Sequence, residues 1–96
     1  MNKGYWLVRA DITDFEKFRE YASRTPAVIE KFGGKFLARA GTYEVVEGHS
    51  RTRNSIIEFP SYDSALACWN SAEYQHTKTC RIGGAELDVV IVEGCD

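Results

Sequence analysis

A small set of side chains in this sequence is suited to proton transfer or ligand capture near neutral pH. His49 and His76 are its two imidazoles, and Glu58 lies within the otherwise apolar run Ile56-Ile57-Glu58-Phe59. Arg39 could hold an anionic or carbonyl group while His76 or Glu58 moves a proton, with Arg9, Trp69 and Tyr74 completing a ligand site. Each has an ordinary structural reading as well. His49 falls at a predicted turn tip and His76 on a predicted surface helix, where a solvated imidazole is expected. Trp69 follows Ala65 and Leu66 at helical spacing and can serve as core. The cysteines Cys68, Cys80 and Cys95 share no metal-like spacing, and Cys68 and Cys80 read as small apolar fillers on helices. No phosphate-cradling glycine loop, nucleophile elbow or sequence-adjacent Cys/His pair is present. Neither a metal nor a cofactor is expected.

The elements that must position these groups follow from periodicity. Residues 5–12 are aromatic and branched and predict a strand. Thr13-Asp14-Phe15-Glu16 has capping-box form, with Thr13 as the cap of a helix whose apolar face is Phe15, Phe18, Ala22, Ile29 and Phe32. Thr25-Pro26 predicts an interruption, with Thr25 capping a restarted helix. Gly33-Gly34 ends it, since glycine accepts the left-handed conformation beyond a helix C-terminus. Residues 35–40 form a second strand. Residues 43–46 and 51–60 predict a hairpin turning at Gly48-His49, whose second arm is the long third strand. Ser61 and Ser71 cap two further helical segments, the second running to about residue 82. Gly83-Gly84 closes it, and residues 87–93 are the last strand. The order is strand, helix, Gly-Gly, strand, twice over. It predicts a single α+β domain spanning 1–96, a ferredoxin-like βαββαβ sandwich with an antiparallel sheet.

Strand alternation sorts the sheet into two faces. Trp6, Val8, Ala10, Phe36, Ala38, Ile57, Phe59, Leu87, Val89 and Ile91 form an apolar set that must face the helices. The other set joins Tyr5, Leu7, Leu37, Ile56, Val90 and Val92 to Arg9, Arg39, Glu58 and Asp88. A surface left to water would be more uniformly polar, so this face predicts a covering partner. Its charges either pair across strands within a covered surface or, through Arg39 and Glu58, line a pocket for a polar ligand.

Twelve basic and fourteen acidic residues leave a net charge of -2 with no basic block, which argues against nucleic acid as a partner. The apolar share of 44% suffices for a packed core, yet no apolar run approaches the roughly 20 residues of a membrane span. Residues 1–4 lead directly into a strand rather than a signal peptide, and with unpaired cysteines this predicts a cytoplasmic protein.

The segments Gly33-Gly34-Lys35-Phe36, Ile57-Glu58-Phe59-Pro60-Ser61, Ser71-Ala72-Glu73-Tyr74-Gln75 and Val90-Ile91-Val92-Glu93-Gly94, together with Gly4-Tyr5-Trp6 and Glu47-Gly48, resemble domain-of-unknown-function family 1330. That family belongs to the dimeric α/β-barrel superfamily. The resemblance implies a ferredoxin-like protomer whose sheet packs on a second copy to close a barrel. Covering the open face with a second sheet predicts an interface on the order of 2,000 Å² in total. The resemblance implies no particular activity. The superfamily includes cofactor-free monooxygenases, haem-degrading enzymes, peroxidases, isomerases and stress-response proteins. Its haem degraders place their iron-ligating histidine where Lys78 stands here. His76 is two residues off, about 200° around a helix, so haem is not expected. The function expected is a small dimeric protein that binds a polar or anionic organic molecule in a pocket of the protomer, between sheet and helices, or inside the barrel. The alternatives are a cofactor-independent monooxygenase- or isomerase-like enzyme and a non-catalytic dimeric interaction protein.

Overall fold

The computed structural model describes residues 2–95. Its elements are β1 (Gly4–Ile12), α1 (Phe15–Lys31), β2 (Lys35–Arg39), β3 (Arg53–Phe59), α2 (Tyr62–Asn70), α3 (Ala72–Lys78), a 3-10 turn (Thr79–Arg81) and β4 (Ala85–Glu93). The strands form one antiparallel sheet in the order β2-β3-β1-β4. This is the βαββαβ order, with β1 and β3 at the centre and all helices on one face. The slab measures 38 × 35 × 16 Å, a thickness suited to one sheet and one helical layer.

The core lies between those layers. Trp6, Ile57 and Phe59 point from the sheet toward Phe18, Tyr21 and Ile29 of α1 and toward Ala65, Cys68 and Tyr74 of the later helices. The Trp6 indole N–H donates to the Ala65 carbonyl at 3.0 Å, so this large buried ring leaves no polar atom unmet. Gly34 passes so close to Ile29 and Phe59 that a Cβ there would sit 2.7 Å from each. Gly33 before it has φ +80°, the left-handed turn that ends α1.

Local details differ from the sequence reading. Asp14, not Thr13, caps α1: its carboxylate accepts from the backbone N–H groups of Glu16 and Lys17. Phe15 is 66% exposed rather than part of the buried face. The helix runs unbroken through Pro26, and Thr25 caps nothing; its hydroxyl donates back to the Tyr21 carbonyl at 2.7 Å. Ser61 and Ser71 do cap α2 and α3. Residues 43–46 form no strand. Instead β2 itself pairs with β3, and residues 41–50 make a long exposed arm between them. With β3 flanked by β1 and β2, no free edge of β3 is left for a 43–46 strand to join.

The face away from the helices carries Leu37, Ile56, Val90 and Val92, all exposed, with Tyr5 and Leu7 half-buried among them. At one end of it Arg51 reaches the carboxylates of Asp11 at 2.9 Å, Asp88 at 2.8 Å and Glu86 at 3.4 Å. Among the described residues no helix is long and apolar enough to cross a membrane.

Candidate functional site

Between α1 and the helix side of the sheet opens a cleft of about 50 Å³, room for several waters or a small organic group. Trp6, Val8, Ala10, Phe18, Phe36, Ile57 and Leu87 make its apolar walls. Its polar groups are Arg39, Arg53, Ser55, Thr25 and Tyr21, and no acidic residue lines it. The Arg39 guanidinium stacks on Phe36 at 4.6 Å and that of Arg53 on Phe18 at 5.3 Å. Among the described residues neither meets a carboxylate within 4.0 Å. The sheet carboxylates Glu58, Asp11, Glu86 and Asp88 are engaged elsewhere, Glu58 with Lys3 and Lys35 and the other three with Arg51.

Arg39 reaches this cleft through a bulge. Phe36 pairs with Ile57, but the register then shifts, so that Ala38 pairs with Ile56 and Arg39 with Ser55. One extra residue reverses the alternation, sending Arg39 to the helix side and Ala38 to the open side. Strict alternation predicts both on the opposite faces. Arg39 also answers a need created by α1. Pro26 has no N–H, which leaves the Ala22 carbonyl, four residues earlier, without its helical donor. Arg39 Nη2 donates to that carbonyl at 2.9 Å.

The other sequence candidates do not converge on Arg39. Glu58 lies on the open face, paired with Lys3 at 3.0 Å and Lys35 at 3.8 Å and within 3.5 Å of the Tyr5 hydroxyl. The hydrogen bond from Lys3 is the main cause that holds its carboxyl below the usual range. An Arg39–Glu58 ion pair and a shared Arg39–Glu58 pocket are therefore both ruled out by geometry. Arg9 is on the open face too. Its cross-strand neighbour Asp88 is taken by Arg51. His76 sits exposed on α3, outside the cleft lining. Trp69 and Tyr74 belong to an aromatic cluster with Trp6, ring centroids 5.0 to 5.6 Å apart. Tyr74 still communicates with the cleft. Its hydroxyl lies 2.7 Å from that of Tyr21, and burial, reinforced by Tyr21, pushes its pKa well up, so it stays protonated. Arg81 stacks over Tyr21 at 5.0 Å.

Arg53, Ser55, Tyr21 and Thr25 escaped the sequence reading. Arg53 and Ser55 share the parity of Ile57, a core residue, and so were assignable to the helix face. Tyr21 and Thr25 stand one helical turn apart and one turn beyond Phe18. Among the described residues no group of three or more His, Cys, Asp or Glu could hold a metal ion.

The fold places the chain among ferredoxin-like α+β proteins. It resembles a protein of unknown function from Rhodopseudomonas palustris, with TM-score 0.78 and 14% identity over 99% of this chain and 84% of that one. It also resembles SnoaB, a cofactor-independent oxygenase from Streptomyces nogalater, with TM-score 0.66 and 10% identity over 100% and 96%. A third relative is an ethyl tert-butyl ether d (ethd) family protein from Bacillus halodurans, with TM-score 0.58 and 16% identity over 99% and 100%. At such identities the likeness is one of fold. By sequence no curated protein matches. The chain belongs to the family described as domain of unknown function (DUF1330), whose model matches residues 3–95.

Proposed function

We propose that the protein is a homodimer that binds a small anionic organic molecule in the cleft between α1 and the sheet. One observation carries this reading: two guanidiniums, Arg39 and Arg53, flank an aromatic-walled cleft that offers them no carboxylate. A ligand carboxylate or phenolate would supply the missing charge, and the guanidinium fork suits it. Its apolar body would lie against Trp6, Phe18 and Phe36. The second copy covers the apolar open face, which would otherwise expose Leu37, Ile56, Val90 and Val92.

A catalytic role has one feature in its favour, the Tyr21–Tyr74 hydroxyl pair at the cleft wall. A protonated Tyr74 can support Tyr21 as donor to an oxygen of a bound molecule. Conversion of a bound phenol in air, lost in Tyr21→Phe with binding retained, would establish that role.

The binding reading is tested by thermal shift against benzoate, phenol, acetate and phosphate. A ligand at ten times its Kd stabilises by about 1.4 kcal/mol, roughly 6–11 °C for a chain of this size. Benzoate should raise the melting temperature, and Arg53→Gln should abolish the rise. No response to any of the four, or an equal response in Arg53→Gln, overturns the assignment.

A further inference from the structure

We infer that residues 41–50 are a clasp that grips the second copy of this chain, an inference that rests on the homodimer reading above. Three features set this arm apart from an ordinary loop. It leaves the sheet through Ala40, a non-glycine residue with φ 52°, a conformation that must be held in place. The Ala40 N–H supplies that hold by donating to the Asn54 carbonyl at 3.0 Å and the Ser55 hydroxyl at 3.1 Å. The arm returns through Arg51 and Thr52, both fastened to the Asp11 carboxylate, with Arg51 also on Asp88 and Glu86. Both ends are thus fixed. The span between them displays Tyr43, Val45 and Val46 to water, Val46 at 86% exposure.

The arm also stands on the side where a partner would dock. It forms a groove with Arg9 and Asn54, which belong to the open face of the sheet. Tyr43, Val45 and Val46 line it beside Arg9 and Asn54, the next pair on the open face after Leu7 and Ile56.

Area points to the same occupant. Four strands at roughly 4.8 Å spacing and 3.3 Å per residue make an open face of about 19 by 25 Å. Two such faces amount to about 950 Å² of flat area. A ten-residue arm with a contour length of about 33 Å and a width of about 10 Å adds about 300 Å² from each copy. The arms thus make up about two-fifths of the flat area that two copies could bring together.

The test compares wild type with the double variant Tyr43→Ser/Val46→Asp and with Ile82→Asp, a control at another exposed apolar residue, outside both the arm and the open face. Light scattering over a dilution series gives the dimer dissociation constant, and circular dichroism checks folding. The arm variant should raise the constant at least a hundredfold with its spectrum unchanged, and Ile82→Asp should leave it alone. A wild type monomeric at every concentration removes the homodimer reading and the clasp with it. A wild-type dimer that the double variant matches removes the clasp alone. Should the double variant misfold, hydrogen exchange on wild type decides. Slowing of the amides of 43–47 as concentration rises supports the clasp, and unchanged exchange overturns it.

Discussion

The bond from Arg39 to the Ala22 carbonyl exists because Pro26 cannot make it, and this dependence can be measured. Arg39→Met should cost two things in the wild-type background. It loses the stacking on Phe36, worth about 0.5–1 kcal/mol at an exposed site. It also leaves the Ala22 carbonyl without a protein donor, worth about 1 kcal/mol, the low end of the range because water can reach this site. In a Pro26→Ala background the amide of residue 26 returns to the Ala22 carbonyl, so only the stacking loss remains. The two backgrounds should therefore differ by about 1 kcal/mol in the cost of Arg39→Met, about 4–8 °C in melting temperature. Urea unfolding of the four proteins yields that coupling directly. Equal costs in both backgrounds would refute the link between Pro26 and Arg39. The same set separates two roles of Arg39: ligand binding should fall in both backgrounds, even where stability is restored.

Other outcomes follow from the same contacts. Glu58→Gln should lower stability at pH 7 only modestly, since Lys3 and Lys35 remain in water, and should leave any benzoate response intact. The folded pKa of Glu58 lies below the usual carboxylate range, so its contribution is present at neutral pH and lost as pH falls through the folded value. Melting curves of wild type and variant should accordingly converge in acid; a constant gap would contradict the assignment. Tyr74→Phe should destabilise by about 1 kcal/mol, because the Tyr21 hydroxyl loses a buried partner, read by urea unfolding. Cys68, fully buried with its thiol pushed up to about 12, should resist a thiol reagent until unfolding, whereas exposed Cys95 should react at once.

The fold was legible because it rests on signals local to each segment. Serine caps at Ser61 and Ser71, the glycine pairs after helices and the period-two runs of β1, β3 and β4 each fix an element without knowledge of the others. What escaped depends on pairing. The 43–46 segment has strand composition, yet whether Tyr43 and Val45 join a sheet is decided by which strand already occupies the edge of β3. The bulge at Leu37 carries no glycine and no charge signature, so nothing in Phe36-Leu37-Ala38-Arg39 announces that Arg39 changes sides. That one residue moved the candidate site from the open face to the helix side. It separated Arg39 from Glu58 and Arg9 and brought it to Arg53 and Ser55 instead. The Ala22 carbonyl was derivable from Pro26, but its donor was not, since the sequence does not say which distant side chain lies above that turn.

The most direct test of the anion site is a titration of labelled protein with benzoate followed by amide and indole NMR signals. The cleft assignment predicts saturable shifts at Trp6, Thr25, Ser55 and the Arg39 and Arg53 side chains, with the signals of Tyr5, Arg9 and Glu58 unmoved. Shifts confined to the open face, or none at millimolar benzoate, would contradict it.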